Sequence, residues 1–554
     1  MHPSAHVDTF ARDHLPPAAQ WPDFVFDRPS YRHGPVLNAA AELLDARAAR
    51  DGARPAVHAL RDGALLTWSW AELRERVDRI AHVLSAELGL VPGNRVLLRG
   101  ANTPMMAACW LAVVKAGLVA VATMPQLRAR ELEPIIAKAQ VGAALCDATL
   151  ADELARCADA THPHHCPTLT QVLLFDAIGS MPAHGPASGW RRIEPLMAVQ
   201  PDRFEPCPTA SDDVALIAFT SGTTGTPKGT MHFHRDVIVM CDAFPPHVLG
   251  ADASDVFCGT PPLAFTFGLG GLLCFPMRVG ASTLLLERAT PDSLMAAIAQ
   301  ARATVCFTAP TFWRQMALAA GAHDLSSLRR CVSAGEALPD ATRQLWREAT
   351  GVEIIDGIGS TEMIHIFIAS SGADVRPGAI GRPVPGYEAH VVDDAMRPLP
   401  PGQVGRLAVR GPTGCRYLAD ERQLQYVRDG WNLTGDTFRM DDDGYFFYQA
   451  RSDDMIVSAG YNIAGPEVES ALLEHAAVAE CGVVGAPDAE RGQIVRAFVV
   501  LKPGHAAGDA MAQALQAHVR ETIAPYKYPR SIVFVDALPR TETGKLQRFR
   551  LREL

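Results

Sequence analysis

Phe219-Thr220-Ser221-Gly222-Thr223-Thr224-Gly225-Thr226-Pro227-Lys228-Gly229 follows directly on an apolar run that begins at Val214-Ala215-Leu216-Ile217-Ala218. The run reads as a buried strand, and the remainder as the loop leaving its end. Between Thr220 and Gly229 stand five hydroxyl side chains, three glycines and one lysine. Glycines let a backbone approach a ligand closely, hydroxyls and amide N–H groups supply donors, and Lys228 adds a point charge. Together they suit a polyphosphate. The loop is not a Walker A motif, because Lys228 is followed by Gly229 and no Gly-Lys-Ser/Thr triplet occurs in the chain.

A strand ending in such a loop belongs in an α/β sheet, and the flanking sequence agrees. From Leu37 onward helical and strand patterns alternate. Ala39–Ala49, Trp70–Leu88 and Met105–Lys115 read as helices; Arg95–Leu98, Leu118–Ala122, Cys306–Thr308, Arg330–Ser333 and Glu353–Ile355 read as strands. This alternation predicts mostly parallel sheets covered by helices. The opening forty residues have no clear period and read as an irregular arm. From Gly381 to about Tyr448, Pro-Gly and Asp-Gly turns between short strands predict an antiparallel, barrel-like subdomain. A charged break at Ala450-Arg451-Ser452-Asp453-Asp454 precedes a fresh α/β pattern, which places the expected boundary between a large domain, 1–453, and a small mobile α+β domain, 454–554.

A chain of 554 residues exceeds what one core usually fills. Its formal charge of −10 argues against nucleic acid or an anionic membrane as a general partner. The twelve cysteines form no Cys-x-x-Cys pair, as in a cytoplasmic protein with reduced thiols, and no signal peptide is visible. The apolar stretch Met105–Met124 contains Lys115 and Gly117 and reads as buried helix and strand instead of a membrane span.

Further motifs stand in order along the chain, and with the loop they resemble the acyl-adenylate-forming (AMP-binding) superfamily. The resemblance runs from about Leu37 to Lys545. It implies that Thr220, Ser221, Gly222, Thr223, Thr224 and Lys228 hold the phosphates of ATP. Ser333-Ala334-Gly335-Glu336 resembles the segment walling the acyl pocket, through Ala334 and Gly335. In Gly357-Ile358-Gly359-Ser360-Thr361-Glu362, Glu362 resembles the Mg2+-binding carboxylate and Thr361 a donor to the α-phosphate; Ile358 stands where an aromatic commonly stacks on adenine. Trp431-Asn432-Leu433-Thr434-Gly435-Asp436 resembles the motif whose aspartate grips the ribose, with Arg451 as second contact and Asp453 at the hinge. Ser458–Ile463, with Glu467 and Glu469 beyond it, resembles the pantetheine tunnel, with Gly460 letting the thiol of coenzyme A pass. Pro539–Lys545 resembles the loop carrying the catalytic lysine, Lys545, which stabilises charge between carboxylate and α-phosphate.

The resemblance implies an AMP-forming acid–thiol ligase: a carboxylate attacks Mg·ATP to give an acyl-adenylate, then a thiol attacks the activated carbonyl. Pro262–Gly268, with Phe265 and Phe267, resembles the carboxylate-pocket motif and suggests a compact, flat slot. Gly359 and the stretch Asp356–Phe367 are closer to benzoate-type ligases than to fatty-acyl ones. His365 lies three residues past Glu362; if that segment is helical the two share a face, and His365 is either a slot residue or a packed core histidine. The arm, with Asp8–Pro17, Gln20-Trp21-Pro22 and Leu37–Asp45, resembles 2-aminobenzoate-CoA ligases. An aromatic carboxylate is the expected partner of a monomer or homodimer. The alternatives are a medium-chain fatty-acyl synthetase, an aryl-adenylating enzyme that loads a carrier protein, and a non-catalytic nucleotide binder. His162–Cys166 reads as a surface loop, His232 and His234 as structural, and Lys527 as either a CoA-phosphate contact or a basic surface residue.

Overall fold

The computed structural model describes residues 3–179, 189–220, 227–451, 454–458, 461–488, 491–523, 525–540 and 546–554. Four sheets organise them. The strand Val214–Thr220 lies next to last in a seven-stranded sheet, parallel to Val119–Thr123 and antiparallel to Lys228–Phe233 at the edge. Thr220 pairs with Lys228, so the phosphate loop closes a hairpin at the rim of this sheet.

A nine-stranded sheet supplies the opposing wall. Its strands Val256–Gly259, Val305–Thr308, Arg330–Ala334 and Ile354–Gly359 run parallel, and Ile366–Ala369 returns antiparallel beside the last of them. Between the two sheets lie the helices Ala39–Asp51, Trp70–His82 and Pro104–Lys115. Pro104–Lys115 touches strands of both sheets and is buried along its whole length, which is why its sequence is apolar all round. Lys115 is not an interruption. Its ammonium is satisfied inside the core by Asp78 at 2.5 Å and Asp45 at 2.6 Å. Local signals fix the helix starts: Ser69 and Glu72 form a capping box, and Asn38 Oδ1 accepts from Ala41 N.

The barrel-like region is a five-stranded antiparallel sheet including Glu388–Val392, Val404–Arg410, Trp431–Met440 and Phe446–Arg451. The fourth sheet draws only on residues after Asp454, and helix Gly465–Glu474 packs on its strand Val478–Asp488. The arm is irregular apart from the short helix Phe10–Asp13, but it is firmly tied. Ser4 and Arg12 donate to Asp213, just before the phosphate-loop strand, while Asp23 N and Val25 N donate to the carbonyls of Gly430 and Gly411. No described helix is long and apolar enough to cross a membrane.

Predicted boundaries differ by a few residues. Trp70–Leu88 splits into an α-helix ending at His82 and a wider turn, Val83–Glu87, and the strand predicted at Glu353–Ile355 extends from Ile354 to Gly359. The segment after Glu362 is not helical: Ser360 to His365 form a turn between two antiparallel strands. Gly359 permits it, because a Cβ there would stand 2.6 Å from the His365 carbonyl oxygen. Glu362 and His365 therefore do not share a helix face.

Candidate active site

The turn after Ile354–Gly359 carries the carboxylate on which the site is centred. Glu362 is buried, and Tyr417 donates to its Oε1 at 2.5 Å, with Lys228 Nζ 3.9 Å from the same oxygen. Lys228 Nζ in turn donates to the Tyr417 hydroxyl at 3.2 Å. The lysine at the end of the phosphate loop and the glutamate of the next motif are thus brought together, with Tyr417 as their common partner. Burial, and then the charge of Glu362, push the Tyr417 hydroxyl far above its ordinary pKa, so it remains a donor. Ile364, two residues on, has φ +65°, a conformation costly for a β-branched side chain; the turn is held in place by its surroundings.

Those surroundings are specific. His232 Nε2 donates to the Thr361 carbonyl at 2.7 Å, and its other nitrogen faces Asp236 Oδ2 at 3.7 Å. Asp236 is fully buried against Arg416, whose guanidinium stacks over Phe233. Burial pushes the Asp236 carboxyl up, but Arg416 and His232 outweigh it and hold the group below the usual range. His232 therefore supports Thr361, whereas His234 Nδ1 accepts from Ala39 N at 3.1 Å and starts the first long helix.

Beyond Glu362, the Ser360 hydroxyl lies 3.1 Å from the Tyr426 hydroxyl, and Tyr426 feels the charge of Asp436. Asp436 pairs in register with Arg451, their side chains 3.4 Å apart. Burial raises its carboxyl above the usual range, partly opposed by Arg451 and Thr434. On the other flank, Ala334 pairs with Gly357, which puts Ala334 and Gly335 beside the Gly357-Ile358 backbone. Asp356 sits there too, buried, pushed up to about 7 by burial against the opposing pull of Arg343. Its carboxyl accepts from Gly357 N at 3.1 Å.

His365 lies below, with its ring 4.5 Å from Phe275, 5.4 Å from Phe244, 5.7 Å from Phe267 and 6.4 Å from Phe307. Neither ring nitrogen makes a well-formed hydrogen bond among the described residues, although the Phe267 main chain is near. Burial lowers its pKa to about 3, so the imidazole is neutral. Gly270 makes room for the ring, since a Cβ there would meet His365 Cδ2 at 2.4 Å. Phe267 belongs to this aromatic box. Phe265 does not: it lines a small cavity with Trp110, Ala120, Ala122 and Ala218, against the adjacent strands Val119–Thr123 and Val214–Thr220 of the seven-stranded sheet.

Burying neutral histidines has a pH consequence. His365 and His234, both near 3 when folded, bind protons near 6.5 once unfolded, so stability is fully present above about 6.5 and falls as pH drops toward 3. Between pH 6.5 and 5 each is expected to cost about 2 kcal/mol. Denaturant titrations at the two pH values should show the fall, and His365→Leu should reduce it by that histidine's share.

Several predicted residues lie outside the described segments: Ser221, Gly222, Thr223, Thr224, Asp453, Gly460 and Lys545. Thr220 is described, and its buried hydroxyl has no partner among the described residues. Glu467 and Glu469, expected near the pantetheine path, are engaged elsewhere: Glu467 grips Lys527 at 2.5 Å and 2.7 Å, and Glu469 grips Arg548. Lys527 is thereby committed to an internal ion pair. His164 of the predicted surface loop pairs with Glu133 at 2.8 Å. Tyr417, Tyr426, Asp356 and the phenylalanines at 244, 275 and 307 were not singled out from sequence; only the isolated acid of Asp356 within an apolar strand was a visible signal.

The donor set suits Mg·ATP. A carboxylate beside a lysine, with a hydroxyl at Thr220 that has no partner among the described residues, is a hard-oxygen environment of the kind magnesium takes together with phosphate oxygens. The chain matches the AMP-binding enzyme family over residues 44–417 and the AMP-binding enzyme C-terminal domain over residues 467–545. It is 36% identical to a benzoate–CoA ligase of Thauera aromatica over 492 residues, 88% of this chain and 90% of that protein. It is 33% identical to the mitochondrial acyl-coenzyme A synthetase ACSM3 of Homo sapiens over 550 residues, 96% of this chain and 91% of that one. Among solved structures, an anthranilate CoA ligase in complex with anthranoyl-AMP superposes with TM-score 0.87 at 33% identity, covering 95% of this chain and 98% of that chain. A benzoate CoA ligase from Burkholderia xenovorans LB400 gives 0.82 at 33% identity, covering 93% and 99%. The chain belongs to the AMP-binding enzyme family and is an AMP-forming acyl-CoA ligase.

Proposed function

We propose that this ligase activates an aromatic carboxylate, 2-aminobenzoate or benzoate, and transfers it to coenzyme A with release of AMP and pyrophosphate. The observation that carries the aryl reading is the aromatic box. Phe244, Phe267, Phe275 and Phe307 surround a neutral His365, an apolar aromatic wall beside the turn that carries Glu362. Such a wall suits a planar aromatic ring. The similarity to benzoate and anthranilate CoA ligases supports the same reading.

In this reading Lys228 and the phosphate-loop hydroxyls hold the triphosphate. Glu362 holds Mg2+, which would neutralise phosphate charge and act as a Lewis acid when bound. Tyr417 orients Glu362, and the His232–Asp236–Arg416 relay fixes the Thr361 backbone. Asp436 and Arg451 take the ribose hydroxyls, while the Asp356 carboxyl accepts from the adenine amino group. Lys545 stabilises the charge that develops as the substrate carboxylate attacks the α-phosphate. The thiol of coenzyme A then attacks the acyl-adenylate carbonyl and AMP leaves. The polypeptide divides at 453/454, with Asp453 as the hinge.

A second reading, a medium-chain acyl substrate, is favoured by the equally extensive similarity to mitochondrial acyl-coenzyme A synthetases. Purified enzyme with Mg·ATP and coenzyme A, offered 2-aminobenzoate, benzoate and octanoate, decides between them. Thioester formation should have its highest kcat/KM on one of the two aromatic acids. A higher value on octanoate would overturn the aryl reading and leave the adenylation chemistry in place.

A further inference from the structure

The end of one strand of the nine-stranded sheet, the helix Pro310–Ala319 and the small domain meet at one cluster of side chains that the reaction scheme above does not use. Arg540, from the segment leading into the 541–545 loop, donates to Glu480 of its own domain at 2.8 Å. Across the boundary the same guanidinium lies 3.5 Å from Glu336 Oε1 and 3.5 Å from the Thr311 hydroxyl. Thr311 donates to the other oxygen of Glu336 at 2.9 Å. Nearby, Arg314 of the large domain donates to the Val478 carbonyl at 3.5 Å. Arg540 also pairs through its backbone with Leu546, so the residues on either side of 541–545 meet at the cross-domain contact.

The two carboxylates differ in what they require. Glu480 travels with Arg540, so that pair can persist in any orientation of the small domain. Glu336 belongs to the Ser333–Glu336 segment of the large domain, its Oε1 is buried, and Arg540 is the cation facing it. Rotating the small domain away would break that contact and leave the carboxylate to water, so the pair exists only in the docked orientation. Docked, one guanidinium separates two carboxylates that would otherwise repel.

We infer that Arg540 is a positioning residue for the first half-reaction: through Glu336 and Thr311 it clasps the small domain against the Ser333–Glu336 segment of the large domain. The inference rests on the reading that Lys545 in the 541–545 loop serves adenylate formation. The clasp belongs to one half-reaction only. Thioester formation, in the other orientation of the small domain, does not use it.

Two assays separate the half-reactions: benzoate-dependent ATP–pyrophosphate exchange, and thioester formation from preformed benzoyl-adenylate and coenzyme A. Glu336→Gln and Arg540→Gln are each expected to lower exchange about fivefold to tenfold while changing thioester formation less than about twofold. The double variant should be no slower in exchange than Arg540→Gln alone, because both remove one contact. Exchange unchanged in both singles, or both half-reactions falling together with a lowered Tm, would overturn the inference, as would fully multiplicative losses in the double variant. Lys545→Ala distinguishes the underlying reading: full exchange in that variant would remove the loop's role, and the inference with it, whatever the clasp variants do.

Discussion

Replacing Glu362 by glutamine is expected to lower acyl-adenylate formation by about a hundredfold to a thousandfold, the range found when one electrostatic contact to a developing charge is removed. The amide has nearly the same shape, so Tyr417 can still donate to its oxygen and the turn from Ser360 to His365 should survive. What is lost is the charge beside Lys228, 3.9 Å away, and the hard anionic ligand suited to Mg2+. The measurement is pyrophosphate exchange as a function of Mg2+ concentration. The variant should need more Mg2+ for half-maximal rate, with Tm within a few degrees of the parent. A variant with normal Mg2+ dependence would show that Glu362 does not hold the metal. Tyr417→Phe should fall between the two, because it removes the donor that orients the carboxylate without removing its charge.

The second large effect is on stability. Arg416→Met is expected to cost about 3–5 kcal/mol, since it leaves the fully buried Asp236 without its main partner. Part of that cost arises from aromatic contacts, because the guanidinium also faces Trp21 and Phe24. Asp236→Leu combined with Arg416→Met should recover much of the loss, as apolar replacements of buried pairs often do. Denaturant unfolding followed by tryptophan fluorescence would measure both. The double variant should nevertheless be a poorer enzyme than its stability suggests. With Asp236 gone, His232 keeps its bond to the Thr361 carbonyl but loses the group that sets its ring orientation.

The extent to which the sequence foretold this architecture depends on the range of the interactions involved. The strand before the loop was readable because its signal is local: an apolar run, then glycines, hydroxyls and a lysine; the returning strand Lys228–Phe233, which makes the pair a hairpin, was not anticipated. Asp436 and Arg451 were readable as motif residues, and the antiparallel ladder that joins them follows from the Asp443-Gly444 turn between their strands. Tyr417 and Tyr426 left no such trace. Each acts on the turn at 360–362 from more than fifty residues away, and nothing in their own neighbourhood has a period or a spacing that points to it. The His365 box is harder still, because its phenylalanines come from separate elements and meet only when the two sheets close on the helices between them. The conditional helix after Glu362 failed for a local reason: Gly359 lets the chain fold back at once, and the returning strand Ile366–Ala369 claims the backbone hydrogen bonds a helix would have used. Phe265 and Phe267, two residues apart on a short helical turn, point to different compartments, which alternation along the sequence cannot reveal.

The arm is synthesised well before some of its anchors. Asp8 is held by Asn94 and Arg95, but Ser4 and Arg12 bond to Asp213, and Asp23 and Val25 to residues 411 to 430. Contacts of such wide sequence separation form slowly. The segment Trp21 to Phe26 is therefore exposed through much of translation, with two of its three aromatic rings destined to cover the Arg416 guanidinium. Until residues 411 to 430 follow, those rings lack the partners that cover them in the folded chain.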